Sequence, residues 1–175
     1  MPRILRDELL GHARRVWPSE CCGILLGRRV GAECVVEEAV GAANIAEGDR
    51  RTAYQIDWVT LFRVTRETRT ALREIVGFYH SHPDGSIRPS ERDREAAWID
   101  YAYVIVSIDE ASPVGLSSWR VLAEDAGFEQ ETLRVVDDAG AVAEEHLSLS
   151  QHQSEPPASA RADCRRAVPG IGSYG

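Results

Sequence analysis

Three apolar runs, Cys21 to Leu26, Ile75 to Tyr79 and Tyr101 to Ile108, are each too short for a stable helix and are bounded by glycine or polar residues. Runs of that kind suit strands buried on both faces, so the chain is expected to build its sheet around them. Segments of helical period lie between. Asp7 to Trp17 places apolar residues at helical spacing, with acids first and arginines last as the macrodipole prefers, and Pro18 ends it. Asp57 can cap a second helix, Trp58 to Glu74, with Leu61, Phe62, Val64, Thr65, Thr68, Ala71 and Leu72 as its apolar stripe. Ser90 begins a short third helix. Gly27 closes the first buried strand, and Glu33 to Val40 is its expected hairpin partner. Further strands are expected at Arg3 to Leu5, Tyr54 to Ile56, Val114 to Leu122 and Phe128 to Val136. Helices interleaved with buried strands predict an α/β domain with a mixed sheet, not a bundle or a sandwich.

A chain of 175 residues has room for one domain with a real core. We place that domain at residues 1–140. From about Ala141 onward Ser, Gln, Pro, Gly and Ala dominate, which predicts a disordered tail over 141–175. No apolar run approaches the roughly 18 residues of a membrane span, and the charged start lacks a signal-peptide apolar region, so a cytoplasmic protein with no membrane partner is expected. The net charge of -8 argues against a nucleic-acid partner. All 20 basic residues are arginine, for which biased codon usage is the simplest account. Cys21, Cys22, Cys34 and Cys164 form no C-x-x-C pair and are expected to be free thiols. Trp58, Trp98 and Trp119 are expected in the core, and His12, His146 and His152 facing solvent.

The chemistry concentrates in "FYHSHPDGSIRPSERDREAAW", Phe78 to Trp98. On a strand, side chains repeat on one face every second residue, so His80 and His82 point the same way, with Val76 and Phe78 before them. Pro83-Asp84-Gly85 is turn chemistry. Ser90-x-x-Asp93 then opens a helix and can bring Asp93 to the histidine pair. Two imidazoles and one carboxylate suit Zn²⁺ and leave its fourth tetrahedral position for water, as a hydrolase needs. Each part also has a plainer account: His-x-His as a surface pair or a satisfied core residue, Ser90 to Asp93 as a helix cap. A carboxylate outside the ligand set is required to move protons, and Glu20, at the entrance to the Cys21 to Leu26 strand, is the candidate. By position alone an acid at a strand entrance is usually a surface residue.

Taken jointly, Glu20, then His80-Ser81-His82, seven residues, Ser90 and Asp93 resemble the JAMM (MPN-plus) metalloprotease signature E…H-x-H-x7-S-x-x-D at all five positions. "PSECCGILLG" (Pro18 to Gly27) and "YHSHPDGSIRPSERD" (Tyr79 to Asp93) look like the corresponding segments of the compact prokaryotic members, with a looser echo at Asn44 and Tyr54 to Asp57. The resemblance implies His80, His82 and Asp93 as zinc ligands, Glu20 as general base and then acid, Ser90 as an oxyanion donor, and a cytidine deaminase-like layered α/β fold. It also implies a substrate class, the C-terminal Gly-Gly end of ubiquitin-like sulfur-carrier proteins. A deconjugating isopeptidase and a non-catalytic scaffold are the alternatives within the family. The H-x-E with P-C-x-x-C of nucleoside deaminases and the zincin H-E-x-x-H are both missing from the sequence.

Overall fold

The three apolar runs become neighbouring strands in the middle of one sheet. The computed structural model describes residues 1–123 and 126–137; the expected tail at 141–175, with His146, His152 and Cys164, lies outside them. In chain order the elements are α1 (Arg3–Val16), β1 (Cys22–Val30), β2 (Glu33–Ala42), α2 (Trp58–Thr68), β3 (Glu74–His82), α3 (Glu91–Ala96), β4 (Ala102–Asp109), β5 (Ser112–Val121) and β6 (Phe128–Glu131). The sheet order is β2-β1-β3-β4-β5-β6. β3 and β4 run parallel and the other neighbours antiparallel, which is the mixed α/β sheet expected. No helix among the described residues is long and apolar enough to cross a membrane.

Each face of the sheet has its own apolar cluster. Leu5, Leu9 and Ala13 of α1 pack on Cys21, Leu25, Tyr79, Val104 and Val106. On the other face Val64 of α2 joins Ile24, Leu26, Phe78 and Tyr103, with Trp98 and Trp119 packed against them as expected. Val76 belongs to the α1 cluster although Phe78 does not, which corrects the strict alternation read from the sequence. The reason is a bulge: Leu25 pairs with Gly77 and Leu26 with Ile75, so Val76 is the extra residue and turns to the opposite face. From Phe78 onward the alternation holds.

Several boundaries differ from the sequence expectation for physical reasons. Arg3 to Leu5 is helix, because Met1 and Arg3 donate their amino and amide groups to Arg134 O and Val136 O and so anchor the α1 start. Asp7 and Glu8 consequently lie beyond its first turn. β1 does not stop at Gly27; it bulges there, where a Cβ would collide with the Val35 carbonyl of β2. α2 ends at Thr68, and Thr65 and Thr68 return their hydroxyls to the carbonyls of Leu61 and Val64. Val64 alone of its expected stripe is fully buried, and Trp58 is 72 % exposed, not core. Tyr54 to Ile56 contributes a single bridge, Asn44 to Ile56, and β6 ends at Glu131 with Val136 bridging only to Pro2. His12 is half-buried, its Nδ1 2.8 Å from the Tyr79 hydroxyl.

Candidate metal centre

The site grows from the end of β3. His80 and His82 share the face opposite α1, and both are buried, at 1 % and 7 % exposure. Pro83 to Pro89 then carries the chain away from the sheet in a loop pinned at both ends. Asp84 Oδ1 accepts from Ser86 N in the turn, while Ser117 Oγ and Trp119 Nε1 of β5 donate to Ile87 O. α3 starts on a capping box. Ser90 Oγ accepts from Asp93 N at 3.1 Å, and Ser90 N donates to Asp93 Oδ2 at 2.7 Å. The cap therefore fixes the orientation of Asp93, which is buried at 7 % exposure.

Three donor atoms converge as a result. His80 Nε2 and His82 Nε2 are 3.0 Å apart, and they lie 3.2 and 3.3 Å from Asp93 Oδ1 and Oδ2. Ligands of a tetrahedral ion with bonds of about 2.0–2.1 Å sit roughly 3.3 Å from one another, so the spacing fits a small divalent cation. The donor chemistry fits as well, since two imidazole nitrogens and a carboxylate aimed at one buried point need a shared positive charge to coexist there. Among the described residues this is the group able to hold a metal ion.

Glu20 arrives by strand register. Cys22 pairs with His80, and Ser81 N donates to Cys21 O at 3.0 Å, which brings the residue before Cys21 to the end of β3, where the Glu20 carboxyl feels the charges of His82 and Asp93. Ser81 locks this step, because its Oγ accepts from Cys21 N at 2.8 Å. Glu20 is 6 % exposed, which removes the surface-acid reading.

The local field follows from burial and from the carboxylates. Burial pushes the Glu20 carboxyl up to about 8, against the pull of His82 and with help from Asp93 and Asp84. Burial would raise Asp93 too, but hydrogen bonds from His80, His82 and Ser90 hold it well below the carboxylate range. His80 is lowered by burial, which favours the neutral ring a ligand needs. His82 loses charge to burial, and Asp93, Glu20 and Asp84 more than offset this and leave it raised. Burial also lifts the Cys21 and Cys22 thiols to about 11 and about 12, so they act as small apolar residues, not redox groups.

All five residues picked from the sequence thus lie at one end of β3. The structure hydrogen-bonds the Ser90 hydroxyl to Asp93 Oδ2 at 2.6 Å. Two neighbours had only a weak sequence signal. Tyr54 stacks on the His80 ring, with centroids 4.3 Å apart and planes 20° off parallel. Asn44 donates to Glu20 O and Ala53 O and accepts from Ala46 N and Gln55 N. No periodicity marks a loop residue whose partners are backbone groups, so neither was legible beyond the loose echo noted above.

Known proteins resemble this chain in sequence and in fold. The model of prokaryotic homologues of the JAB domain matches residues 2–122. The desampylase of Haloferax volcanii is 38 % identical over 109 residues, covering 59 % of this chain and 76 % of that protein. The CysO-cysteine peptidase of Mycobacterium tuberculosis is 31 % identical over 134 residues, covering 76 % and 88 %. A solution structure from Desulfitobacterium hafniense superposes with a TM-score of 0.65 at 27 % identity, over 78 % of this chain and 90 % of that one. With more than half of its length matched, the chain belongs to the prokaryotic branch of the JAB (JAMM, MPN) domain family.

Proposed function

We propose that this chain is a zinc-dependent peptidase that hydrolyses a peptide or isopeptide bond at the C-terminal Gly-Gly end of a ubiquitin-like, sulfur-carrier protein. The observation that carries the reading is the pairing of the His80, His82 and Asp93 trio with a buried carboxylate, Glu20, outside it. His80, His82 and Asp93 would hold a zinc ion, which would supply Lewis-acid chemistry there. The chain's own residues do the rest. Glu20 takes the proton from the attacking water and returns it to the departing amine. Ser90 orients Asp93 through the cap, and its hydroxyl, which here donates its one proton to Asp93 Oδ2, must rotate off that oxygen to serve as the donor we assign to the developing oxyanion.

The substrate class rests on the relatives. Desampylase, a probable TtuB-protein conjugate cleaving protease of Thermus thermophilus and the CysO-cysteine peptidase all bear names that describe release from a small carrier protein. The first two favour isopeptide bonds and the third favours removal of a single C-terminal amino acid. Two carriers separate these readings, one ending in Gly-Gly-Cys and one joined through Gly-Gly to a lysine side chain. Incubation with the zinc-loaded enzyme, followed by intact mass, should show loss of cysteine from the first or release of the second. Zinc bound in stoichiometric amount with both carriers intact would overturn the assignment. The free thiols among the described residues, Cys21, Cys22 and Cys34, agree with a cytoplasmic setting.

A further inference from the structure

His80 is held in an unusual way. A metal-ligating histidine almost always donates its second ring N–H to a carboxylate, a carbonyl or water, which fixes the plane of the ring. Here Nδ1 of His80 is buried and has no hydrogen-bond partner among the described residues. What meets the ring instead is the face of Tyr54, stacked at 4.3 Å between centroids and 20° between planes. That separation and near-parallel geometry leave the imidazole little freedom to tilt.

Tyr54 is itself placed with care. Its two chain neighbours are both tied to one side chain, since Asn44 Nδ2 donates to Ala53 O at 3.0 Å and Asn44 Oδ1 accepts from Gln55 N at 3.2 Å. Ile45 N donates to Gln55 O at 2.9 Å and closes the bridge. The same Asn44 amide also donates to Glu20 O at 3.1 Å. One loop residue thereby sets the backbone that carries the aromatic ring and the backbone that carries the proposed base.

We propose that Tyr54 is a positioning residue of the metal centre: its ring face takes the place of the missing Nδ1 hydrogen bond and aims His80 Nε2 at the point shared with His82 and Asp93. The claim rests on the metal reading given above. It concerns the flat face of the ring, not its hydroxyl, and that distinction makes it testable.

The experiment is a zinc titration of the full chain against a competing chelator, with cobalt(II) absorption as a second readout. Wild type, Tyr54→Phe, Tyr54→Leu and Tyr54→Met are compared. Tyr54→Phe keeps the ring face and should bind zinc as wild type does. Tyr54→Leu should lose about 10- to 100-fold in zinc affinity, the range for loss of a group that orients a ligand. Its cobalt d–d bands should also shift in position or intensity, which a change in packing alone would not cause. Tyr54→Met fills the space without a flat face and gives the same test if Tyr54→Leu does not fold. Wild-type affinity in the variants lacking a ring, or an equal loss in Tyr54→Phe, would overturn the role of the ring. A wild-type chain that binds no zinc at all would instead sink the metal reading beneath it.

Discussion

Alternate residues of one strand, β3, serve two different environments. Tyr79 and Ser81 turn toward α1, and His80 and His82 turn toward the loop that carries Tyr54. Each face has a histidine–tyrosine pair, and the pairs differ in kind. His12 meets Tyr79 edge-on, at 71° and 5.9 Å, with a 2.8 Å hydrogen bond between them. His80 lies flat on Tyr54, leaving its Nε2 for His82 and Asp93. On the core face the polar atoms are spent on their neighbours, which is how buried polar groups normally become tolerable. On the other face the donors point at one another, and only a shared cation or proton makes that arrangement stable. The difference separates a structural histidine from a candidate ligand without reference to any motif.

The largest effect expected from this contrast is on turnover. Glu20→Gln removes a proton carrier from the reactive face and keeps its shape, so carrier cleavage should fall roughly 10²- to 10⁴-fold while zinc content stays the same. Single-turnover assays paired with metal analysis measure both. Unchanged turnover would take Glu20 out of the mechanism, and lost zinc would mean that it acts as a ligand.

Next in size is a change on the core face only. Ser81 is fully buried between the two histidines, and its hydroxyl accepts from Cys21 N. Ser81→Ala strands that amide and should cost about 1–3 kcal/mol in urea unfolding of the metal-free chain, with zinc stoichiometry unchanged. Equal stability would show that the strand entrance needs no latch. Loss of zinc would show that the two faces cannot be separated.

What the sequence could reveal follows the same division between local and distant. His-x-His on one face is a consequence of strand period, and Ser90 with Asp93 is a cap three residues long, so both were readable without a fold. Glu20 was nameable as a candidate, but its burial near His82 depends on two segments sixty residues apart meeting at the end of β3. The start of α1 depends on an acceptor 133 residues away, so local pattern placed it four residues late. α2 was overextended past Thr68 because Ala71 and Leu72 continue its apolar spacing, although Leu72 stays 97 % exposed. The bulge that turns Val76 to the α1 face is a property of pairing with β1, and no single-strand reading contains it.

The smallest effect tests the core-face histidine by pH. Burial, then the charge of Arg15 on the same helix, lower the His12 pKa, so the folded chain favours a neutral ring against Tyr79 while the unfolded chain titrates near 6.5. Because the folded pKa is the lower one, the unfolded state binds more protons between the two values. The stability contributed by neutral His12 is therefore present above pH 6.5 and is lost as pH falls through the folded pKa. His12→Gln cannot titrate but can still reach the Tyr79 hydroxyl. The unfolding free energy of the metal-free wild type, minus that of His12→Gln, should decrease steadily from pH 8 toward pH 5. A difference that stays level across that range would place His12 in solvent, where the sequence alone had put it.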